Sequence, residues 1–589
     1  MPSNDAEWTV AAQLRRRALE GPEELAHRLV GVADLTFGIW DEQSNAAARG
    51  LRARGVGPGD RVLLPCSTAE WISYAVAWAG VLKAGAVAVP VSVATGAAQL
   101  ARTSVAAGAV GVVGTDFAGR GSGWCATVAE LVADQPVNPV HVDISPDDDA
   151  EIVYTSGTTG VPKGVVASHA NVMYSVMGST ATRRSTAMHA LPPATTVGQG
   201  LLVQPLGPCP HATLTLPRFE PATFLRAIEE HRPTHVVLVP AMAIALVNAG
   251  AREDFDLTSV RQVRTTSAPI HPATLEQLAQ VFPNARIRNV YSTTECWPRR
   301  LATTYDRARP RSLGRPAPGA EVRIVASDGA EVPRGLPGDV QLRSDAPQRR
   351  YDGAEAASGV FLEGGWTRTG DIGMLDEDGY FYLVDRHPDL INTGGMNVST
   401  LDTEATVMDY PGVVEAAVCG VPHPVLTECV VAAVRVTPGV DVEALHDFLR
   451  ERRGVAAPHR VIVVADLPRT LLGKIDKRAL RTMLAAEVTP AGHEPPATPT
   501  EEAVAGIWAT ALDVDAVSAT ADFLHLGGSS LSAMEVVSEV AERLGRAVRV
   551  RDLLDTQTLR EFARRVDDAP PAEPGEPDFV ALPRVNAVP

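Results

Sequence analysis

Short runs of Val, Ile and Leu alternate with amphipathic stretches over residues 1–385, the pattern of layered α/β structure. AVAWAGVLKAGAVAVPV (75–91) reads as a helix stopped near Gly85, followed by the strand AVAVPV. FLRAIEEHRPTHVVLVPAM (224–242) predicts an amphipathic helix that runs past Pro233 into the strand Val236–Val239. A smaller α/β segment follows at 386–482, with EAAVCGV and CVVAAVRV as strands. Residues 483–499 are rich in Pro, Ala, Thr and Glu without apolar period, and predict an extended, semi-stiff linker. From 500 to 568 the pattern is helical throughout, in TEEAVAGIWATAL, SLSAMEVVSEVAERLG and TLREFARRV, and predicts an all-α bundle. In its middle helix Leu531, Met534, Val537, Ala541 and Leu544 recur at helical spacing and are expected to bury one face. The Pro- and acid-rich tail, 569–589, is expected to be disordered. The expected fold class is therefore α/β multidomain: a large layered domain, a small α/β domain and a helical bundle.

At 589 residues the chain is too long for one core and long enough for several. A net charge of -17 argues against a nucleic-acid or acidic-membrane partner, both of which need clustered positive charge. Six cysteines without a C-x-x-C pair give no metal or disulfide framework and suit a reducing, cytoplasmic setting. The N-terminus lacks a signal-peptide pattern. The longest apolar stretch, Trp71 to Pro90, is broken by glycine and Lys83 and reads as helix and strand, not a membrane span.

The most informative stretch is Ile152 to Val165, IVYTSGTTGVPKGV. A strand enters, small and hydroxyl-bearing residues turn, and a second strand leaves. Gly157 and Gly160 let successive N–H groups converge on an anion. Thr155, Ser156, Thr158 and Thr159 add hydroxyl donors and Lys163 a mobile charge, enough to cradle a nucleotide triphosphate. Gly164 follows Lys163 and no helix starts there, so this is not the G-x-x-x-x-G-K-[ST] loop.

YTSGTTGVPKG resembles the signature of the adenylate-forming superfamily, which includes acyl-CoA ligases and the adenylation domains of nonribosomal peptide synthetases. GVGPGDRV (55–62) and VLKAGAVAVP (81–90) resemble its early structural motifs. Tyr291-Ser292-Thr293-Thr294-Glu295 resembles Y-G-x-T-E, which implies an aromatic on adenine, a threonine at phosphate and Glu295 on Mg2+. Ser267 and Ala268 join the implied nucleotide set. Trp366 to Asp371 resembles the T-G-D motif, whose Asp binds the ribose hydroxyls, and Arg386 follows in the same site. Pro468 to Lys474 resembles P-x-x-x-x-G-K, which implies that Lys474 contacts the ribose side and the reacting carboxylate. The resemblance makes 1–385 the large and 386–482 the mobile part of an adenylation domain. It implies Lys474, Glu295 and Lys163 as catalytic residues, with ATP and Mg2+ as cofactors. In-line attack on an α-phosphate needs such cations around the developing charge.

Asp522 to Leu531, DFLHLGGSSL, resembles the D-F-F-x-L-G-G-x-S-L motif of peptidyl and acyl carrier proteins. It implies 4′-phosphopantetheine on Ser530, at a helix N-terminus where the dipole favours a phosphodiester. A phosphopantetheinyl transferase is then an implied partner, with downstream condensing or tailoring enzymes.

Some positions depart from the pattern. Ser292 replaces glycine, and Ser529 fills a slot that is usually His or Asp. Asp385-Arg-His-Pro-Asp389 puts Pro388, with its fixed φ, where the hinge residue should be. Amino-acid-activating relatives hold the α-amino group with an Asp in an F-D-x-S segment. The matching Leu191 to Gly198 has no acid, and Leu390 to Val398 resembles the acyl- and aryl-activating branch. Thr195, Thr196, Gly198 and Arg299 are the candidate substrate-pocket residues. The Arg299-Arg300 pair reads as surface arginines, with a second substrate carboxylate as the other use. The expected activity is ATP-dependent activation of a small carboxylic acid and its transfer as a thioester to Ser530. A conventional amino-acid-loading module and an inactive scaffold with a carrier loaded in trans stay open.

Overall fold

The computed structural model describes residues 8–114, 123–155, 163–177, 185–209, 211–250, 254–298, 300–317, 319–353, 359–423, 426–470, 473–488, 494–512, 514, 516–523, 526, 528, 530–554, 556 and 558–572. The chain divides into two units, 1–388 with 469–474, and 389–468 with 475–589.

The first unit holds layered sheets. In one, the parallel strands Arg61–Cys66, Val87–Ser92 and Asp149–Thr155 are joined by Lys163–Ser168, antiparallel to Asp149–Thr155. In the other, Ser185–His189, His211–Thr215, His235–Leu238, Gln262–Thr265 and Arg286–Tyr291 run parallel, and Leu301–Thr304 returns antiparallel. Strands buried on both faces read as continuous apolar runs, as RVLLPC does. Gln262–Thr265 departs from that rule: Val263 and Thr265 are buried, while Gln262 and Arg264 face elsewhere.

The helix predicted before Gly85 is Trp71–Lys83, apolar nearly all round and buried beside Phe37–Ala53 with Trp40, Trp71 and Trp78 in the core. Its last residue, Lys83, reaches Asp41 Oδ1 at 2.7 Å and Asn45 Oδ1 at 2.8 Å. Pro221–His231 leading into His235–Leu238 also follows the sequence reading. A four-stranded sheet of Ala320–Val325, Gly338–Ser344, Thr367–Leu375 and Phe381–Arg386 completes the described sheets of this unit.

In the second unit the two strands read from the sequence pair as Val413–His423 and Thr427–Val436, flanked by Thr400–Met408 and Val442–Arg453. The helix Lys477–Val488 extends into the stretch expected to be linker. The C-terminal helices are Pro499–Leu512, Ser530–Leu544, Val550–Leu554 and Leu559–Asp568, around Trp508, Phe523 and Phe562. One expectation holds only in part, for Val537 and Leu544, which pack against this core. Ser530–Leu544 buries Ala533, Val536 and Val540, whereas Leu531 and Met534 are 66% and 44% exposed. The tail beyond residue 572 lies outside the described residues.

Candidate active site

Thr155 and Lys163 are direct cross-strand partners, so the two strands predicted around the phosphate-type loop pair up to its edges. Ser156, Gly157, Thr158, Thr159 and Gly160 lie outside the described residues. Lys163 Nζ sits 5.2 Å from the centre of the Tyr351 ring, in cation–π range. The Tyr351 hydroxyl donates to Glu295 Oε1 at 3.0 Å. Burial, then the Glu295 charge, pushes the Tyr351 phenol well up, so it stays a donor. Its neighbour Asp352 is bound by both Arg61 guanidinium nitrogens, at 2.9 and 2.7 Å, which fixes the strand that carries Tyr351.

Asp371 and Arg386 face each other across antiparallel strands. Arg386 Nε donates to Asp371 Oδ1 at 2.8 Å, and Tyr291 donates its hydroxyl to Oδ2 at 2.5 Å. Asp371 N donates to Thr369 Oγ1 at 3.1 Å, and the Tyr291 ring packs 5.1 Å from Phe381. Burial, then Asp371, raises the Tyr291 phenol far above its ordinary range. Each carboxylate oxygen of Asp371 keeps a lone pair for a further donor.

Residues 469–474 belong with the large unit and bring Lys474 into this set. The turn closes through Thr470 N to Lys474 O at 2.7 Å and Gly473 N to Thr470 O at 2.9 Å. Gly473 has φ +73, a conformation that disfavours side chains. The Lys474 ammonium is pushed below its ordinary value by burial and by Arg386, while Asp371 and Glu295 pull it up. The charges of Glu295, Asp371 and Arg386, which lie far from Lys474 in sequence, are therefore all felt at this one lysine.

Thr293 Oγ1 accepts from Cys296 N at 3.3 Å and holds the turn after Tyr291. The Ser292 hydroxyl donates to Thr293 O at 3.3 Å. Ser267 has φ +80, unusual for a residue with a side chain, and Ala268 follows it. The first unit ends at Pro388, the expected hinge, and His387 N is still tied to Gly370 O at 3.1 Å.

The expected substrate-pocket residues Thr195, Thr196 and Gly198 each have a local structural part. Thr195 caps the helix Thr196–Val203 by accepting from Gly198 N at 2.8 Å, and also donates to Pro192 O. A β-carbon at Gly198 would sit 2.2 Å from Pro192 O, so that residue serves close packing. Thr196 instead shares a hydrogen bond with Thr294, 2.9 Å between hydroxyl oxygens. Val197, from the same helix, lines a cleft of two small lobes that share Trp297, Arg264 and Arg300 in their walls. Arg300 is thus a cleft wall and not a surface arginine, and Arg299 lies outside the described residues. Arg264 and Arg288 are cross-strand partners on the same cleft face. Tyr351, Arg264 and Arg288 were not singled out in the sequence. Each is one polar residue on a short strand, and its meaning depends on strand register.

The model of the AMP-binding enzyme family matches residues 7–351, and that of its C-terminal domain matches 402–474. A phosphopantetheine attachment site model matches 502–566. A feruloyl-CoA synthase of Amycolatopsis sp. is 31% identical over 492 residues, 79% of this chain and 97% of the relative. The 4-coumarate–CoA ligase-like 9 of Oryza sativa subsp. japonica is 30% identical over 525 residues, 79% of this chain and 91% of the relative. The ATP-bound structure of MatB from Rhodopseudomonas palustris superposes with a TM-score of 0.73 at 27% identity, covering 81% of this chain and 99% of that one. The chain belongs to the AMP-binding, adenylate-forming enzyme family. It is a ligase of that family joined to a carrier domain, uses ATP and Mg2+, and bears 4′-phosphopantetheine.

The residues present fit the metal. Tyr351 holds one oxygen of Glu295 and leaves Oε2 without a hydrogen-bond partner among the described residues. No group of three or more His, Cys, Asp or Glu side chains surrounds it among those residues. Such a sparse protein shell suits an ion that keeps waters and takes phosphate oxygens as ligands. No described helix is long and apolar enough to cross a membrane.

Proposed function

We propose that this chain activates a small, non-amino carboxylic acid as its acyl-adenylate and loads it onto the 4′-phosphopantetheine of its own Ser530. The observation that carries the reading is the Asp371–Arg386–Tyr291 cluster, folded in one unit with Glu295 and Lys474, in a chain that also contains a carrier domain. A carboxylate oxygen attacks the α-phosphorus, the new O–P bond forms, and pyrophosphate leaves with the electron pair of the broken bond. The pantetheine sulfur then attacks the acyl carbon, AMP leaves with its electron pair, and the thiol proton passes to water.

Lys474 neutralises negative charge that builds on the carboxylate and phosphate oxygens during attack. Asp371, aimed by Arg386 and Tyr291, accepts from the ribose hydroxyls and fixes the nucleotide for in-line geometry. Mg2+, held by Glu295, supplies charge neutralisation to the triphosphate when bound. Ser530 opens a helix of 15 residues, and its attachment phosphate gains from the helix N-terminus. The cleft walls contain no carboxylate among the described residues, which supports an acid without an α-ammonium group.

A phosphopantetheinyl transferase first arms the carrier in the cytoplasm, and condensing or tailoring enzymes then take the thioester into a biosynthetic pathway. Intact-protein mass spectrometry of the pantetheinylated chain with Mg-ATP and a panel of acids tests this. One acyl addition, absent in Ser530→Ala, is the expected result. An arm that accepts acyl groups only from a separate ligase overturns self-loading.

A further inference from the structure

The arginines of the cleft have no function in the adenylation steps above, and their placement is expensive. Arg264 and Arg288 stand opposite each other on adjacent parallel strands, and Arg300 joins Arg264 in the wall of the cleft. Like charges directly opposite on a sheet repel. Arg264 Nε is enclosed and makes no hydrogen bond. No carboxylate among the described residues pairs with any of the three guanidinium groups, and no Asp or Glu lines either lobe. Burial first, then Arg300 and Arg288, presses the Arg264 guanidinium down to about 10, and Arg300 is lowered by burial and Arg288. Half-buried charge of one sign, with no carboxylate partner among the described residues, is retained in a cleft wall because a ligand brings the opposite charge.

The cleft also lies where an acyl group would go. Val290 lines it, and the next residue, Tyr291, holds Asp371. Trp297, in both lobes, follows Glu295 by two positions. Val197 lies between Thr196, bonded to Thr294, and Gly198 at the start of the same helix.

We infer that the acid activated here carries a second anionic group, a distal carboxylate, bound in this cleft by Arg264, Arg288 and Arg300. The inference rests on the adenylation reading and deepens it. One carboxylate reacts at phosphorus while the other is held by the planar, multi-donor guanidinium groups, which match carboxylate geometry. The distal group keeps its charge throughout, so its contacts act on binding and orientation.

The test uses the full-length pantetheinylated protein and two readouts. The first is ATP–pyrophosphate exchange with matched probes: malonate, succinate and glutarate, the half-amide of each, and acetate, propionate and butyrate. The expected result is that one diacid exceeds its half-amide by roughly tenfold or more in kcat/KM, as a charge-assisted contact implies. That ratio should fall toward one in Arg264→Gln and in Arg300→Gln, chiefly through KM. Half-amides or monoacids that exchange as well as the diacids overturn the inference and leave adenylation intact. Absence of exchange with every acid, neutral aromatic acids included, overturns the adenylation reading instead.

The second readout is independent of catalysis. The ligand-free Arg264→Gln protein should melt higher than wild type, because the repulsion between Arg264 and the cross-strand Arg288 is gone. Millimolar diacid should raise the melting temperature of wild type and not that of the variant, with the half-amide raising neither. A variant that melts lower with native-like circular dichroism, or equal stabilisation by diacid and half-amide, overturns the inference.

Discussion

Asp371 and Arg386 are cross-strand partners whose side chains also pair, at 2.8 Å, so the sheet register itself fixes the acid proposed to bind the ribose. Tyr291 completes the arrangement from a different sheet. Its replacement by Phe should keep the fold and remove one charge-assisted hydrogen bond. A rise of roughly tenfold in KM for ATP is expected, read by pyrophosphate exchange. An unchanged KM would show that Arg386 alone aims Asp371.

In the proposed reaction Lys474 must be protonated to neutralise the developing charge, so adenylation should decline as pH rises through its pKa. Burial and Arg386 lower that pKa. Arg386→Gln should therefore move the alkaline limb of the exchange profile to higher pH, even though its rate is lower. A limb that stays in place would mean that another group sets it. Lys474→Ala should lose roughly 100-fold or more in exchange, by analogy with removal of one transition-state donor.

With Glu295 as the proposed Mg2+ ligand, Tyr351 would act through it. Partners that orient a metal ligand contribute about 10- to 100-fold in metal affinity. In Tyr351→Phe the Mg2+ concentration for half-maximal exchange should rise by a factor in that range, while saturating Mg2+ restores much of the rate. A loss of rate that Mg2+ does not restore would assign Tyr351 to Lys163 instead, over which its ring lies.

His27 and His189 are held neutral by burial, with pKa values near 3, and His169 near 4. Unfolded, each titrates near 6.5. Between those values the unfolded chain binds more protons, so stability must fall as pH drops below about 6.5. The slope is at most about 1.4 kcal/mol per pH unit for each histidine. Urea midpoints from pH 7.5 to 5 measure it, and a flat profile would contradict the buried, neutral state.

Pro388 ends the first unit with His387 still tied to Gly370. Pro388→Lys should change thioester formation more than pyrophosphate exchange, because a fixed φ restrains rotation and not adenylation. Single-turnover mass spectrometry beside exchange separates the two steps. Equal effects on both would remove the hinge role.

The chemistry was more legible in the sequence than the pocket. Asp371, Glu295 and Lys474 sit in contiguous motifs, and the fold brings those motifs together. Arg264 and Arg288 gave no local sign, because only strand pairing shows that two arginines share a row. Thr195 and Gly198 lay in the right segment but serve its helix cap and its packing against Pro192. The carrier helix misled for another reason. Ala533, Val536 and Val540 form a second stripe at helical spacing, and the small Ala533 hid it beside the bulkier Leu531 and Met534. The short helix Val550–Leu554 is less than two turns long and escaped a periodicity reading.

The 2.9 Å bond between Thr196 and Thr294 joins the helix that lines the cleft to the turn proposed to meet the phosphates. An ill-fitting acid that displaces Val197 therefore drags on the turn where the nucleotide is aligned. Wrong acids are then penalised twice, once on entering and again in the reaction itself. Discrimination by this enzyme should be sharper in turnover than in occupancy, so a tightly bound misfit would act as an inhibitor and seldom as a substrate.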